Sequence, residues 1–188
     1  MVQSGCTARP ACSQLFLSAS LSNLVDPDGP ASPSFQWQRL SSSGQWTNIS
    51  SANSSSFQIP DDQSFVGSSV RLLAISTDSR GGQTSFFSEP LVVANSNDSP
   101  QHNISILGNA VEGQTLSIDL SSLVDQDGIP SSGIHSPSIQ WLRNNTPIDG
   151  ANSNSYSLSQ NDVDSIISAQ ISYRDNFGNN ESFTLSNP

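Results

Sequence analysis

The chain contains, at residues 17–29, the stretch Leu17-Ser-Ala-Ser-Leu-Ser-Asn-Leu-Val-Asp-Pro-Asp-Gly29, which recurs without a gap as Leu116-Ser-Ile-Asp-Leu-Ser-Ser-Leu-Val-Asp-Gln-Asp-Gly128. Two further matches follow in the same order, since Phe35-Gln-Trp37 recurs as Ile139-Gln-Trp141 and Ala52-Asn-Ser54 recurs as Ala151-Asn-Ser153. Ordered self-similarity of this kind is the signature of a duplicated folding unit. We therefore expect two copies of one fold within the 188 residues.

The matching segments alternate between apolar and polar residues, which is the period of a half-buried β-strand. In the first copy Val70, Leu72 and Ala74 form the apolar series, and in the second copy the corresponding residues are Ile167, Ala169 and Ile171. Turn-forming pairs such as Asp-Gly, Ser-Gly and Gly-Gly separate these short runs. Regularly spaced short strands with such turns predict an all-β sandwich or barrel.

The charge balance excludes one class of partner. The net charge is −10, all six cations are Arg, and thirteen of the sixteen acids are Asp. Nucleic-acid binding requires clustered cations that displace counterions from phosphates, so we expect no nucleic-acid partner. Asp is common in turns and is also a good hard-oxygen ligand for Ca²⁺, so these acids have either a structural or a metal-binding interpretation.

Two other global features bear on the class of protein. Cys6 and Cys12 are the only cysteines, and the sequence is compatible both with a local disulfide between them and with two free thiols. No window approaches the roughly 20 apolar residues of a membrane span, so we expect no membrane insertion. His102 and His135 have no Cys or His neighbours at metal-ligand spacing, and no Gly-x-Ser-x-Gly motif is present. We therefore expect no enzymatic activity.

A family resemblance extends this interpretation. The stretches Ile139-Gln-Trp-Leu-Arg-Asn-Asn-Thr-Pro-Ile-Asp-Gly-Ala151 and Ile171-Ser-Tyr-Arg-Asp-Asn-Phe-Gly178 resemble the bacterial immunoglobulin-like and cadherin-like tandem repeats of large repeats-in-toxin adhesins and surface proteins. The resemblance implies two tandem immunoglobulin-like β-sandwich domains, with Trp37 and Trp141 as core tryptophans. We expect the chain to divide into an N-terminal segment, a first repeat, a linker and a second repeat, at 1–13, 14–94, 95–103 and 104–188.

The second repeat is shorter than the first at its end. It stops at Ser186-Asn-Pro188, the counterpart of Ser88-Glu-Pro90, and has no equivalent of Leu91-Val-Val93. We therefore expect it to lack its last strand segment and the chain to be a piece of a longer array.

The resemblance also implies a calcium site. In an immunoglobulin-like sandwich the B–C and F–G loops lie at the end where the chain enters, and the linker Asn95-Ser-Asn-Asp98-Ser-Pro100 resembles the cadherin-type connector whose acids bind Ca²⁺. The predicted ligands in the second repeat are Asp98, Asp125, Asp127 and Asp175, and those in the first are Asp26, Asp28 and Asp78. The alternative is that these Asp residues cap their own turns.

The functional expectation follows from these points. We expect a non-enzymatic structural or adhesive repeat module of a large bacterial secreted or cell-surface protein, stiffened by Ca²⁺ at the linker, whose partners are neighbouring repeats. The alternative is an immunoglobulin-like module that binds a cell-surface glycan or a protein. Trp46, in the longer hairpin of the first copy, would serve this second function if exposed, or would pack on its own strand pair.

Overall fold

The computed structural model describes residues 2–6, 15–19 and 33–186, with side chains from residue 16 onward. The chain forms two compact units, Met1–Asn95 and Ser96–Pro188. The predicted ligands Asp26 and Asp28, residue Cys12 and the side chain of Cys6 lie outside the described part. In both units antiparallel strands are joined by turns, which confirms the all-β prediction.

The described part of the first unit contains eight strands in two sheets. One sheet has the order β1-β2-β5, and the other has the order β4-β3-β6-β7, with β8 pairing β6 as well. The strands are β1 (Val2–Cys6), β2 (Leu15–Ala19), β3 (Ser34–Leu40), β4 (Trp46–Asn48), β5 (Ser56–Gln58), β6 (Ser69–Thr77), β7 (Gln83–Phe87) and β8 (Leu91–Val92).

The second unit repeats this arrangement. Its two sheets have the orders β13-β10-β9 and β12-β11-β14-β15, so that β11 and β14 are the counterparts of β3 and β6. A short 3-10 helix, Gln160–Asp162, precedes β14. The strands are β9 (Ile106–Leu107), β10 (Thr115–Ile118), β11 (Ser138–Arg143), β12 (Thr146–Pro147), β13 (Ser155–Ser157), β14 (Ile167–Arg174) and β15 (Asn180–Ser186).

Alternation along the central strands places the core between the two sheets of each unit. In β6 buried and half-buried residues alternate, so the even-numbered side chains face the core and Arg71, Leu73 and Ile75 face outward. The core of the second unit takes residues from both sheets, including Leu116 on β10 and Ile171 on β14. These are sandwich-like sheets, in which burial of one face of each sheet supplies most of the stabilisation.

A tryptophan and a glutamine anchor the centre of each unit in the same way. Trp37 and Trp141 are both 0% exposed. Their indole N–H groups donate to the carbonyls of Ser54 at 3.0 Å and Ser153 at 2.9 Å. The preceding glutamine, Gln36 or Gln140, donates its side-chain amide to three carbonyls, which are the matched residues 37, 49 and 52 in the first unit and 141, 148 and 151 in the second. The duplication therefore extends to individual hydrogen bonds.

The corner before β14 is closed by a buried carboxylate. Asp162 pairs with Arg143 at 2.6 Å and accepts hydrogen bonds from the Tyr156 hydroxyl and from the backbone and side chain of Ser159. Two residues later Asp164 adopts a left-handed φ of 61°. Asp tolerates this conformation better than most residues, so the turn forms without glycine.

Candidate metal centre in the second unit

The Asp125-Gln126-Asp127-Gly128 loop folds around its own carboxylates. The backbone N–H of Asp127 donates to Asp125 Oδ1 at 2.8 Å, and the N–H of Gly128 donates to the Asp125 carbonyl at 3.1 Å. The turn needs a positive φ of 83° at Gly128, which is why glycine follows the two acids. Asp127 is 1% exposed, so the loop holds a carboxylate inside the unit.

The predicted linker attaches to this loop through hydrogen bonds within the second unit. The N–H of Asp98 donates to Asp127 Oδ2 at 2.7 Å, and the side-chain amide of Asn97 donates to Glu181 Oε1 at 2.7 Å. Further along, Gln101 exchanges both backbone hydrogen bonds with Val124. Asp98 is therefore held by a predicted calcium ligand, Asp127, whereas Asn97 is held by Glu181 and Gln101 by the backbone of Val124.

Tyr173 lies near three acids at the end of β14. Its hydroxyl donates to Asp125, and it lies opposite Glu181 in the β14–β15 register. Burial raises the pKa of the Tyr173 hydroxyl well above its ordinary value, and the hydrogen bond to Asp125 and the negative charges of Asp125, Glu181 and Asp175 raise it further. All three carboxylates are thus close enough to act on one hydroxyl, which stays protonated and serves as a donor.

Asp175 and Asp78 cap the same turn in the two units. Asp175 Oδ1 accepts from the N–H groups of Phe177 at 2.9 Å and Asn179 at 2.8 Å. Asp78 Oδ1 accepts likewise from residues 80 and 82, at 2.7 and 2.9 Å. Burial opposes ionisation of Asp175, but hydrogen bonds from Asn179 and the turn backbone outweigh it and lower the pKa of the carboxyl. Both residues therefore cap their own turns.

The residues of this cluster carry the type of donor atom that Ca²⁺ binds, but their side chains are not arranged around one point. Carboxylate, amide and carbonyl oxygens are the ligands that Ca²⁺ takes, about six to eight of them at roughly 2.3–2.6 Å. Within the residues that the structure describes, however, no three or more His, Cys, Asp and Glu side chains are grouped so that they could hold a metal ion directly. Three of the acids at this end of the unit accept hydrogen bonds from protein donors: Asp125 from the N–H of Asp127, Asp127 from the N–H of Asp98, and Glu181 from the amide of Asn97.

Sequence reasoning missed Glu181, Tyr173 and Asn97 as members of this cluster. Glu181 is 9% exposed although it is one of only three Glu residues. The available signal was the period of β15, in which Glu181 and Leu185 are buried. A charged residue on the inward face of a strand indicates a polar cluster, because a buried charge needs partners.

The two histidines lie elsewhere. The His102 ring stacks on Phe183 with centroids 4.0 Å apart. The His135 carbonyl accepts the N–H of Arg174, in the loop before β11. In the first unit Trp46 is half-buried beneath the guanidinium of Arg71, whose Cζ lies 4.2 Å from the ring centroid.

Comparison of the sequence with known protein families and with curated proteins gave no match in either case. The described residues contain no helix of the length and apolar character needed to cross a membrane.

Proposed function

We propose that the chain is a non-enzymatic structural module: two tandem immunoglobulin-like repeats of a large extracellular bacterial surface protein of the adhesin type. The observation that carries the proposal is the duplicated anchor, in which Trp37 with Gln36 and Trp141 with Gln140 make matching hydrogen bonds. The two units keep this interior while their loops and outer faces differ. Such conservation of the interior alone is typical of repeats used as building units of long arrays.

The second repeat is proposed to gain stability from Ca²⁺ at its linker end. Asp98, Asp125, Asp127 and Glu181 would supply carboxylate oxygens, and Asp175 would contribute mainly through its charge because its own turn occupies it. The support is the gathering of acids around Tyr173, whose hydroxyl donates to Asp125 and which lies opposite Glu181 in the β14–β15 register, with the charges of Asp125, Glu181 and Asp175 all acting on that hydroxyl. A divalent cation would offset their mutual repulsion and would hold residues 97 and 98 to the second repeat.

Unfolding with and without the ion tests the calcium part. At a free Ca²⁺ concentration about 100 times its dissociation constant, one site adds about 2.7 kcal/mol to the free energy of unfolding. For a repeat of this size, that corresponds to a rise in Tm of about 10–20 °C. The measurement compares thermal unfolding in EDTA and in Ca²⁺, with hydrogen exchange by mass spectrometry to assign the change to β14 rather than β6.

Two double variants control the experiment. Asp125→Asn/Asp127→Asn should abolish the Ca²⁺ shift, whereas Asp61→Asn/Asp62→Asn removes the same charge from an exposed loop of the first unit and should leave it intact. An unchanged Tm in Ca²⁺, or a shift that survives the first double variant, would overturn the calcium proposal and would leave the module proposal standing.

Mechanical unfolding tests the module part separately. Pulled from its two ends, a pair of independent repeats should unfold in two steps, and each step should release about 300 Å of chain, at roughly 3.3–3.6 Å per residue. Trp37→Ala should remove only one of the steps, because that indole lies in the core of the first unit. A single step that covers both units would contradict a tandem of independent modules.

A further inference from the structure

The outer face of the first unit carries a cation held between two aromatic rings. Arg71 on β6 places its Cζ 4.2 Å from the ring centroid of Trp46 on β4 and 4.2 Å from that of Phe87 on β7. Arg71 faces outward because its neighbours Val70 and Leu72 face the core. Phe87 is 55% exposed, so solvent reaches this stack.

The guanidinium is fixed in position and keeps free donors. Its Nε–H donates to Gln38 Oε1 at 2.9 Å, and the Gln38 amide in turn donates to Asn48 Oδ1 at 2.9 Å. The only ion pair among the residues that the structure describes joins Arg143 to Asp162. No described carboxylate therefore neutralises Arg71. Arg carries five N–H donors in a planar fork, and the two terminal nitrogens of Arg71 have no described acceptor. In a chain of net charge −10, this is a rigid, solvent-accessible cation.

The second unit lacks the stack although its central strands pair in the same register. In the aligned registers Ala74 pairs with Phe86 and Ile171 pairs with Phe183, which places Ser168 and Thr184 at the positions of Arg71 and Phe87. Leu142 stands where Gln38 does, and the two-residue turn at Asn144 and Asn145 replaces the longer hairpin that carries Trp46. The fold therefore does not require the stack.

We infer that Trp46, Arg71 and Phe87 form a binding site for an acidic sugar, one whose carboxylate meets the guanidinium fork of Arg71. Carboxylates match that fork with two parallel hydrogen bonds, and the pre-ordering by Gln38 lowers the entropy lost on binding. The C–H face of the same sugar packs on an exposed aromatic ring such as Phe87, and its hydroxyls meet the exposed side-chain amide of Asn48. An Asp or Glu side chain of a protein partner supplies the carboxylate without the adjoining apolar face, so a sugar satisfies the site better.

The experiment uses the whole chain and three monocarboxylate or sugar probes: glucuronate, glucose and acetate. In ¹H–¹⁵N spectra, glucuronate should shift the Nε–H signals of Trp46 and Arg71 in a saturable way. The indole signals of Trp37 and Trp141 should not move, because both indoles are buried and bonded to carbonyls. Glucose lacks the carboxylate and acetate lacks the ring, so each should bind at least about tenfold more weakly, the factor that 1.4 kcal/mol represents.

Variants separate binding from packing of the sheet. Arg71→Ser and Phe87→Thr install the residues of the second unit, and each should abolish the shift at Trp46 while the Trp37 signal reports an intact core. Arg71→Lys keeps the charge but loses the fork, so binding should weaken about tenfold. Equal shifts with acetate and glucuronate, a shift with a Glu-rich peptide but not with glucuronate, or no shift at all would each overturn the inference.

Discussion

Replacing Asp162 with Ala should strongly destabilise the second unit. The Asp162 side chain is 2% exposed, and it receives donors from Arg143, Tyr156 and Ser159. Removing one partner of a buried pair costs about 3–5 kcal/mol. Arg143 is 30% exposed and regains water, so we take the lower end, about 3 kcal/mol. This corresponds to a fall in Tm of about 12–24 °C for a unit of this size.

Hydrogen exchange by mass spectrometry measures the loss of stability separately in each unit. Protection of the β14 amides should fall about a hundredfold, since 1.4 kcal/mol is a factor of ten. Protection of β6, in the first unit, should not change. Asp149→Ala is the matched control, because it removes the same charge from an exposed turn of the second unit and should alter stability by no more than about 0.5 kcal/mol.

The same variant has a defined pH dependence. Burial opposes ionisation of Asp162, but hydrogen bonds from Ser159, Arg143 and Tyr156 outweigh it and lower the pKa of the carboxyl below its ordinary 3.8. A lowered folded-state pKa gives stability that is complete above the unfolded value and is lost as the pH falls through the folded value. The difference in the free energy of unfolding between wild type and Asp162→Ala should therefore be complete at pH 7 and should decrease below pH 3.8. A gap no larger than that of Asp149→Ala at pH 7 would refute the reasoning.

Two further substitutions test other parts of the second unit. Tyr173→Phe removes the donor that reaches Asp125 and should lower stability by about 1–3 kcal/mol in EDTA by chemical denaturation. Gly108→Ala should be costlier than Gly113→Ala, because a Cβ at Gly108 (φ +116°) would lie 2.7 Å from the Thr115 carbonyl oxygen, whereas one at Gly113 (φ +80°) meets nothing within 4 Å. Equal Tm values for the two glycine variants would show that the close approach in the structure has no energetic consequence.

Local patterns in the sequence predicted the strands and the core. The alternation of Val70, Leu72 and Ala74 places all three inside, and the repeated Gln-Trp pair marks the centre of each unit. These features are readable because a strand's side chains face opposite sides with a fixed period of two. The same period at Arg71 predicts an outward-facing cation, although not the rings beside it.

The polar clusters were harder to predict because they depend on contacts between distant segments. The sequence around Asp162 indicates only a turn, and its partner Arg143 is nineteen residues away. Glu181 meets Asn97 across 84 residues. The Asp-rich loops were recognised, but whether an Asp caps its own backbone or faces another carboxylate depends on side-chain rotation. For Asp175 and Asp78 the turn itself supplies the donors.

The two units reach the same interior by different chemistry at one matched position. Arg39 and Arg143 are counterparts beside the core tryptophan, and in the second unit Arg143 meets the Asp162 carboxylate. In the first unit Arg39 lies 4.8 Å from the ring centroid of Phe65, which itself lies 5.7 Å from Phe57, the counterpart of Tyr156. In the first unit the arginine thus packs on the Phe65 ring, whereas in the second unit it pairs with the Asp162 carboxylate. Within the described residues, all the buried acids lie in the second unit, at Asp127, Asp162, Asp175 and Glu181. Because the pKa values of Asp162 and Asp175 are lowered, acid should destabilise the second unit more than the first.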